Sequence, residues 1–291
     1  MKLLIVGCSG QVGSELVNRV SDAWDVYAFD RKQLDITNYL QVGNIIKSIL
    51  PDVIINASAY TAVDRAETEI EQAFAINSGG VANLALEANN CGAKFLHIST
   101  DYVFRGDREG LYSESDETEP TGIYGKSKLA GELAISEICK RHIILRTSWV
   151  FGQHGNNFVK TMIRIGEGKT SLNVVGDQFG GPTYAGDIAN ALLLIAEKVC
   201  EENFNDWGIY HYSGAPYTNW ANFANVILEL AHKNSLISQK VNVNSITSSE
   251  YPTPAKRPIN SMLDCTKIHD IFNIGPSQWE LALRNIEIYA K

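Results

Sequence analysis

The chain opens on an apolar run, Leu3 to Val6, that breaks at once into three glycines, Gly7, Gly10 and Gly13, in G-x-x-G-x-x-G spacing. A strand that must turn this tightly into a helix leaves the helix's first N–H groups facing outward, where they suit a pyrophosphate. The first spacing departs from the G-x-G-x-x-G fingerprint, so the turn alone also fits a glycine-rich connection that binds nothing. Asp30 favours a dinucleotide: it closes the second β-like run, where a carboxylate accepts hydrogen bonds from an adenosine ribose. Arg31 follows directly and suits a 2′-phosphate, so Asp30 argues for NAD while Arg31 leaves NADP open.

Short β-branched runs then alternate with helical stretches, the pattern of parallel strands joined by crossover helices. Strands are expected at Asp25 to Asp30, Val53 to Asn56, Lys94 to Ser99 and Ile143 to Arg146, with helices over Gln11 to Val20 and Glu71 to Asn89. Their near-continuous apolar character suits strands covered on both faces. The expected fold is α/β: a Rossmann-like doubly wound parallel sheet over residues 1–150 and a smaller α/β substrate-binding lobe over 151–291. Beyond residue 150, glycine and proline clusters at Gly176 to Thr183 and Tyr251 to Pro258 interrupt helix-like stretches. Ile188 to Val199 and Trp220 to Leu230 read as helices, and segments near 187–231 are free to return to the first domain. No fixed-period repeat is visible, which removes solenoids and propellers.

At 291 residues, 45% apolar and 20% charged, the chain has the composition of a globular protein with a sizeable core. A formal charge of -8 repels a polyanion and disfavours nucleic acid, while a local cluster of N–H donors can still take a small anion. Cys8, Cys91, Cys139, Cys200 and Cys265 are odd in number and include no C-x-x-C pair, which reads as reduced thiols. The opening apolar run is too short for a signal or membrane segment, so a cytoplasmic location and no membrane partner are expected. The histidines lack metal-ligand spacing and no nucleophile elbow is present, so neither a catalytic metal nor a triad is expected.

Asn56-Ala57-Ser58-Ala59-Tyr60 follows a strand and puts small side chains where a cofactor backbone could approach, or where a helix packs tightly on the sheet. Tyr124-Gly-Lys-Ser-Lys128 is a Y-x-x-x-K at a helix start, with phenol and ammonium on one helix face. A neighbouring ammonium favours phenolate and would move the tyrosine toward working pH. Ser99-Thr100-Asp101 ends a strand with hydroxyls where a substrate carbonyl could lie, although such a triplet is more often a turn or cap. Trp149 is placed to stack on a base or sugar or to fill a core, and Arg257 to clamp a pyrophosphate or sit solvated.

These features together resemble the extended short-chain dehydrogenase/reductase family, and more narrowly its dTDP-4-dehydrorhamnose reductase branch, over nearly the whole chain. The resemblance rests on the glycine turn, Asn56-Ala-Ser-Ala-Tyr-Thr-Ala-Val-Asp64, Ser99-Thr-Asp-Tyr-Val-Phe104, Tyr124-Gly-Lys-Ser-Lys-Leu-Ala-Gly-Glu132, Arg146-Thr-Ser-Trp149, Gly155-Asn-Asn-Phe158, Asp177-Gln-Phe-Gly-Gly-Pro-Thr183 and Pro254-Ala-Lys-Arg-Pro258. The later blocks discriminate, because the first and fourth are common to many reductases. The resemblance implies reduction of the C4 ketone of dTDP-4-dehydro-L-rhamnose to dTDP-L-rhamnose by hydride from NADPH or NADH. It implies Tyr124 as proton donor, Lys128 as the group that holds the nicotinamide ribose and tunes Tyr124, and Thr100 as hydrogen-bond donor to the reacting oxygen. Asp101 and Trp149 would line the substrate site. Gly10, Gln11, Val12, Asp30, Asp35, Ile36, Ser58, Ala59 and Tyr60 match cofactor-contacting positions.

Some relatives join two subunits through magnesium held by acidic residues. Here Glu15 is present, but Gly186 stands before Asp187 where a second ligand would be needed, which argues against a metal bridge and leaves a homodimer open. Two other readings remain: a reductase of another nucleotide-linked 4-keto-6-deoxy sugar, and a non-catalytic NADP-binding regulatory subunit. The latter has no need of Thr100, Tyr124 and Lys128 together.

Overall fold

The computed structural model describes residues 1–290. Six short strands, β1 (Lys2–Val6), β2 (Asp25–Phe29), β3 (Val53–Asn56), β4 (Lys94–Thr100), β5 (His142–Thr147) and β6 (Gly208–His211), join in one sheet in the order β6-β5-β4-β3-β1-β2. Every neighbouring pair is parallel. Strand alternation sends Leu3, Ile5, Val53, Ile55 and Leu96 to one face, where they pack against α1 (Gln11–Arg19) and a helix over Ala185–Lys198. Leu4, Val6, Ile54, Phe95 and Ile144 go to the other face, under α2 (Tyr39–Ile49), α3 (Val81–Cys91) and α4 (Ile123–Ile138). Apolar burial on both faces is what the continuous hydrophobic runs require, and the fold is the expected doubly wound α/β sheet.

The expected helix over Glu71 to Asn89 differs in detail. It is a short helix, Ile70–Phe74, a π-helical turn over Ala75–Gly80, and then α3. The wide turn points Asn77 inward, where Oδ1 accepts from the Tyr60 amide at 2.8 Å and Nδ2 donates to the Tyr60 carbonyl at 3.0 Å and Ser127 Oγ at 3.0 Å. Asn77 is fully buried, and a polar side chain there needs these partners. The π-turn supplies the geometry that an uninterrupted α-helix would not.

A second apolar core forms from Phe151, α5 (Phe158–Gly166), the helix over Trp220–Lys233 and the chain end from Trp279 to Tyr289. The helix over Ala185–Lys198, hereafter α6, and strand β6 belong with the first core, whereas Trp220–Lys233, hereafter α7, belongs with the second. The chain thus crosses between cores more than once. A cavity of about 860 Å³ lies along the seam, lined by Asp64 and Tyr102 on the sheet side and by Phe158, Met162 and Trp220 on the other.

Candidate active site

The sheet order reverses between β1 and β3, so their carboxyl ends part into a crevice, the place where such sheets take ligands. Gly7 lies there with φ +84°, and a Cβ on it would stand 2.7 Å from the Ser58 amide nitrogen. A Cβ on Gly13 would meet the Gly7 carbonyl oxygen at 2.1 Å. Only glycine permits both the turn and the close approach of α1 to it. Gly10 caps α1 with no side-chain bond, and the first turn carries no acidic residue, so its N–H groups are open to an anion. Val12 packs into the core and offers only backbone, while Gln11 Oε1 accepts from Asn157 Nδ2 at 3.0 Å.

Asp30 ends the strand beside this turn. Its Oδ1 accepts from the amides of Lys32 at 2.8 Å and Gln33 at 3.0 Å, so the carboxylate is fixed with Oδ2 outside those two bonds. Arg31 is exposed next to it. Asp35 is turned to its own loop, accepting from the Thr37 amide and hydroxyl at 3.0 and 2.7 Å, and Ile36 is a core residue against Gly80. Asn56 Oδ1 accepts from the Ser58 amide at 3.0 Å and hydroxyl at 2.6 Å, which fixes the Ala57–Ser58 bend. Ala59 continues that bend, and Asn77 straps Tyr60 down while the Tyr60 phenol turns outward to Glu69 at 2.7 Å.

Tyr124, Lys128, Glu132 and Ile135 form one stripe of α4, at helical spacing, and face the β4 stripe of Phe95, His97 and Ser99. Lys128 Nζ lies 3.0 Å from His97 Nε2 and donates to the Ile98 carbonyl at 2.7 Å. Glu132 pairs with Arg146 at 2.6 Å and accepts from Ser99 Oγ at 2.5 Å, a buried ion pair with added hydrogen bonds that compensate desolvation. Burial pulls Lys128 down to about 8, opposed by Glu132. Burial pushes the Tyr124 phenol well above the usual tyrosine range, and the adjacent Thr100 hydroxyl opposes this. The sequence expectation of an ammonium drawing the phenol toward phenolate is therefore corrected: Lys128 turns to His97, and burial outweighs any charge effect on Tyr124.

Thr100 ends β4. Its hydroxyl donates to Asp101 Oδ1 at 3.0 Å and accepts from the Tyr102 amide at 3.2 Å, so the Ser-Thr-Asp triplet is also a local cap. Asp101 is buried, and Ser261 Oγ donates to its Oδ2 at 2.5 Å. Burial raises Asp101 to about 6. Tyr102 lines the cavity, its ring edge-on to that of Tyr124 at 5.4 Å. Trp149 and Arg257 line the cavity together with Ser261, whose hydroxyl holds Asp101, whereas Thr100, Asp101, Tyr124 and Lys128 are not among its lining residues. Trp149 has φ +50° and stacks on Trp220 at 3.6 Å between ring centroids. Arg257 Nη2 meets Asp64 at 2.6 Å and Nη1 reaches the Tyr102 hydroxyl at 3.4 Å.

His97, Asn77, Trp220, Asp64 and the Glu132–Arg146 pair received no role in the sequence reading, because each acquires its role from a partner distant in the chain. Two had local signals: His97 precedes Ser99 on the same strand face, and Asn77 stands two residues before a double glycine. At the face where a bridging metal would sit, the residues do not fit one. Glu15 is held by Arg19 at 2.8 Å, and a side chain at Gly186 would start 2.5 Å from the same guanidinium.

The model for the RmlD substrate binding domain matches residues 1–288. A dTDP-4-dehydrorhamnose reductase of Aggregatibacter actinomycetemcomitans is 48% identical over 292 residues, covering 100% of this chain and 99% of its own. One from Escherichia coli K12 is 39% identical, covering 98% and 97%. A crystal structure of dTDP-4-dehydrorhamnose reductase from Bacillus anthracis in complex with NADP has a TM-score of 0.91 at 38% identity, covering 99% of this chain and 98% of that one. From the glycine turn to the final helices of the second core, then, one likeness runs unbroken, and the chain belongs to the RmlD substrate binding domain family.

Proposed function

We propose that the protein reduces the C4 ketone of dTDP-4-dehydro-L-rhamnose to dTDP-L-rhamnose with NADPH, and with NADH as an alternative donor. The observation that carries this reading is the placement of Tyr124, whose phenol burial holds above the usual tyrosine range, beside Thr100 at the sheet's carboxyl edge and edge-on to Tyr102 of a cleft lined by Trp149 and Arg257. Relatives named as reductases of this sugar nucleotide, one solved with NADP, support it. The glycine turn suits a dinucleotide pyrophosphate, because Gly7 and Gly13 leave room that any Cβ would fill and α1 begins uncapped.

The bound cofactor supplies the hydride. Adding hydride to a ketone carbon places negative charge on its oxygen, and Tyr124 gives that oxygen its proton, completing the alcohol. Thr100 donates a hydrogen bond to the same oxygen, which requires its hydroxyl to leave Asp101. Lys128 presents an N–H to the nicotinamide ribose. Asp30 takes the adenosine ribose, with Arg31 beside it for a 2′-phosphate, and Gly10, Gln11, Val12 and the Ala57 to Tyr60 bend line the cofactor. Asp35 and Ile36 act through the loop backbone, since their side chains are engaged elsewhere. Arg257 holds the sugar-nucleotide diphosphate, Trp149 stacks on the substrate and Asp101 orients Thr100. We assign cofactor binding to residues 1–150 together with α6 and β6, and substrate binding to the remainder together with Thr100, Asp101, Tyr124 and Trp149 at the edge of the first core.

The test is oxidation of NADPH and NADH by purified protein with enzymatically generated dTDP-4-dehydro-L-rhamnose, followed by identification of the sugar. Formation of dTDP-L-rhamnose is expected. A different stereoisomer would transfer the reading to another 4-keto-6-deoxy sugar, and cofactor binding without oxidation would favour a regulatory role.

A further inference from the structure

The Gly155-Asn-Asn-Phe158 block takes no part in hydride or proton transfer, yet it joins the cofactor turn to the wall of the cavity. The backbone N–H of Lys160 is a donor without ambiguity and points at Asn157 Oδ1 at 3.1 Å, which assigns the orientation of that amide. Asn157 Nδ2 therefore donates twice, to Gln11 Oε1 at 3.0 Å and to the Gly152 carbonyl at 2.7 Å. A flipped Gln11 would set two donors face to face, so its orientation is assigned as well. Its oxygen is taken by Asn157, and the donor end, Nε2, lies outside that bond. Gln11 is the first residue of α1, directly after Gly10, at the helix end that suits a diphosphate. The loop between the two side chains stays close to both. Gly155 has φ +65°, and a Cβ on it would come within 3.3 Å of Gln11 Cγ. Lys160 Nζ donates to the Gln153 carbonyl at 3.0 Å, tying the loop to α5. Asn157 caps α5, and together with Phe158, Thr161, Met162 and Ile165 of that helix it lines the cavity.

We propose that Asn157 is a positioning residue that couples the cofactor turn to the substrate cavity through Gln11, so that each ligand strengthens binding of the other. This rests on the reductase reading, which puts a diphosphate at the glycine turn and a sugar nucleotide in the cavity. The sign follows from the direction of the chain. Its donors all point one way: the Lys160 amide to Asn157, Asn157 to Gln11, and Gln11 Nε2 onward to an anion. An amide that donates to an anion becomes a better acceptor at its oxygen, so each bond in the series strengthens the one behind it. An anion at Gln11 thus tightens the cap of α5 and steadies the cavity wall that α5 forms. By linkage, a ligand that steadies this wall improves the cofactor site by the same factor.

Two binding measurements on the full chain test this, and neither needs turnover. By calorimetry, saturating NADPH should lower the dissociation constant of dTDP-L-rhamnose about fivefold in the wild type. Asn157→Ser keeps an acceptor for the Lys160 amide but has no N–H for Gln11. Gln11→Met keeps the length of that side chain without its carbonyl. In each variant the enhancement should fall below about 1.5-fold, and in the double variant the second substitution should add nothing to the first. Hydrogen exchange reads the same link with no sugar nucleotide present. NADPH should slow exchange of the amides from Phe158 to Met162 about two- to fivefold in the wild type and leave them unchanged in Asn157→Ser. An enhancement that survives either substitution, or that is missing from a wild type which binds both ligands, overturns the proposal. So does an exchange response that persists in the variant or is absent from the wild type. If dTDP-L-rhamnose does not bind while exchange responds as expected, the link between Gln11 and Asn157 stands and the assignment of the cavity to this sugar nucleotide fails instead.

Discussion

Tyr124 holds its proton because burial disfavours phenolate, which suits a group that must arrive at the transition state as an acid. Tyr124→Phe removes the proton and little else, so kcat should fall about 100-fold or more while the NADPH dissociation constant stays within about twofold. Stopped-flow turnover and a cofactor titration measure the two; an undiminished kcat would remove Tyr124 from the mechanism. Asp101 carries a different cost. Its folded value is raised to about 6 from an ordinary 3.8, so the native state binds this proton more tightly than the unfolded chain. The stabilisation is complete below about pH 4 and is lost as pH rises through about 6. Asp101→Asn cannot ionise. Its unfolding free energy relative to the wild type, measured by denaturation at each pH, should climb across that window, approaching a gain of at most about 3 kcal/mol at neutral pH. A difference that stays flat between pH 4 and pH 7 would show that Asp101 ionises freely.

The π-turn before α3 is where one element disciplines two others. It carries the Asn77 bonds to Tyr60 and Ser127, and its carbonyl at Asn77 lies where a Cβ on Gly131 of α4 would approach to 2.1 Å. Gly131→Ala must push α4 from the turn, with an expected loss of about 1–3 kcal/mol and weaker NADPH binding, since the Tyr60 bend and Lys128 ride on the elements displaced. Gly79→Ala is the matched control: nothing lies within 4 Å of its Cβ position, and stability should be unchanged or slightly higher. Chemical denaturation of both variants compares them, and equal stabilities would mean the close approach relaxes freely. The same contrast explains what could be read in advance. β1, β3 and β5 were legible because burial on both faces writes a continuous apolar run into consecutive residues. Tyr124 and Lys128 were legible because four-residue spacing puts them on one face. The break at Ala75 was not, because it turns Asn77 Oδ1 to accept from the Tyr60 amide, and periodicity records no such partner. His97 and Asn56 are 41 residues apart and meet only once β3 and β4 align.

Across the whole molecule, the cleft is closed by contacts between residues that no single core owns. Trp149, just past β5, stacks on Trp220 of α7, and Arg257 reaches Asp64 and Tyr102 beside the first core. Both tie the substrate side to the sheet edge without touching the glycine turn, so they should govern the sugar nucleotide and leave the cofactor alone. Arg257 is partly solvated and already paired, and a diphosphate must compete with Asp64 for its guanidinium. Charge-assisted bonds to such a group contribute about 1.5–3 kcal/mol. Arg257→Ala should therefore raise KM for the sugar nucleotide about ten- to hundredfold, flatten its dependence on salt, and leave the NADPH dissociation constant unchanged. Steady-state kinetics at low and high ionic strength separate these effects. Should the cofactor constant move in step with KM, the two ligand sites would be coupled through the Asp64 loop, and the cleft would close as one unit over both.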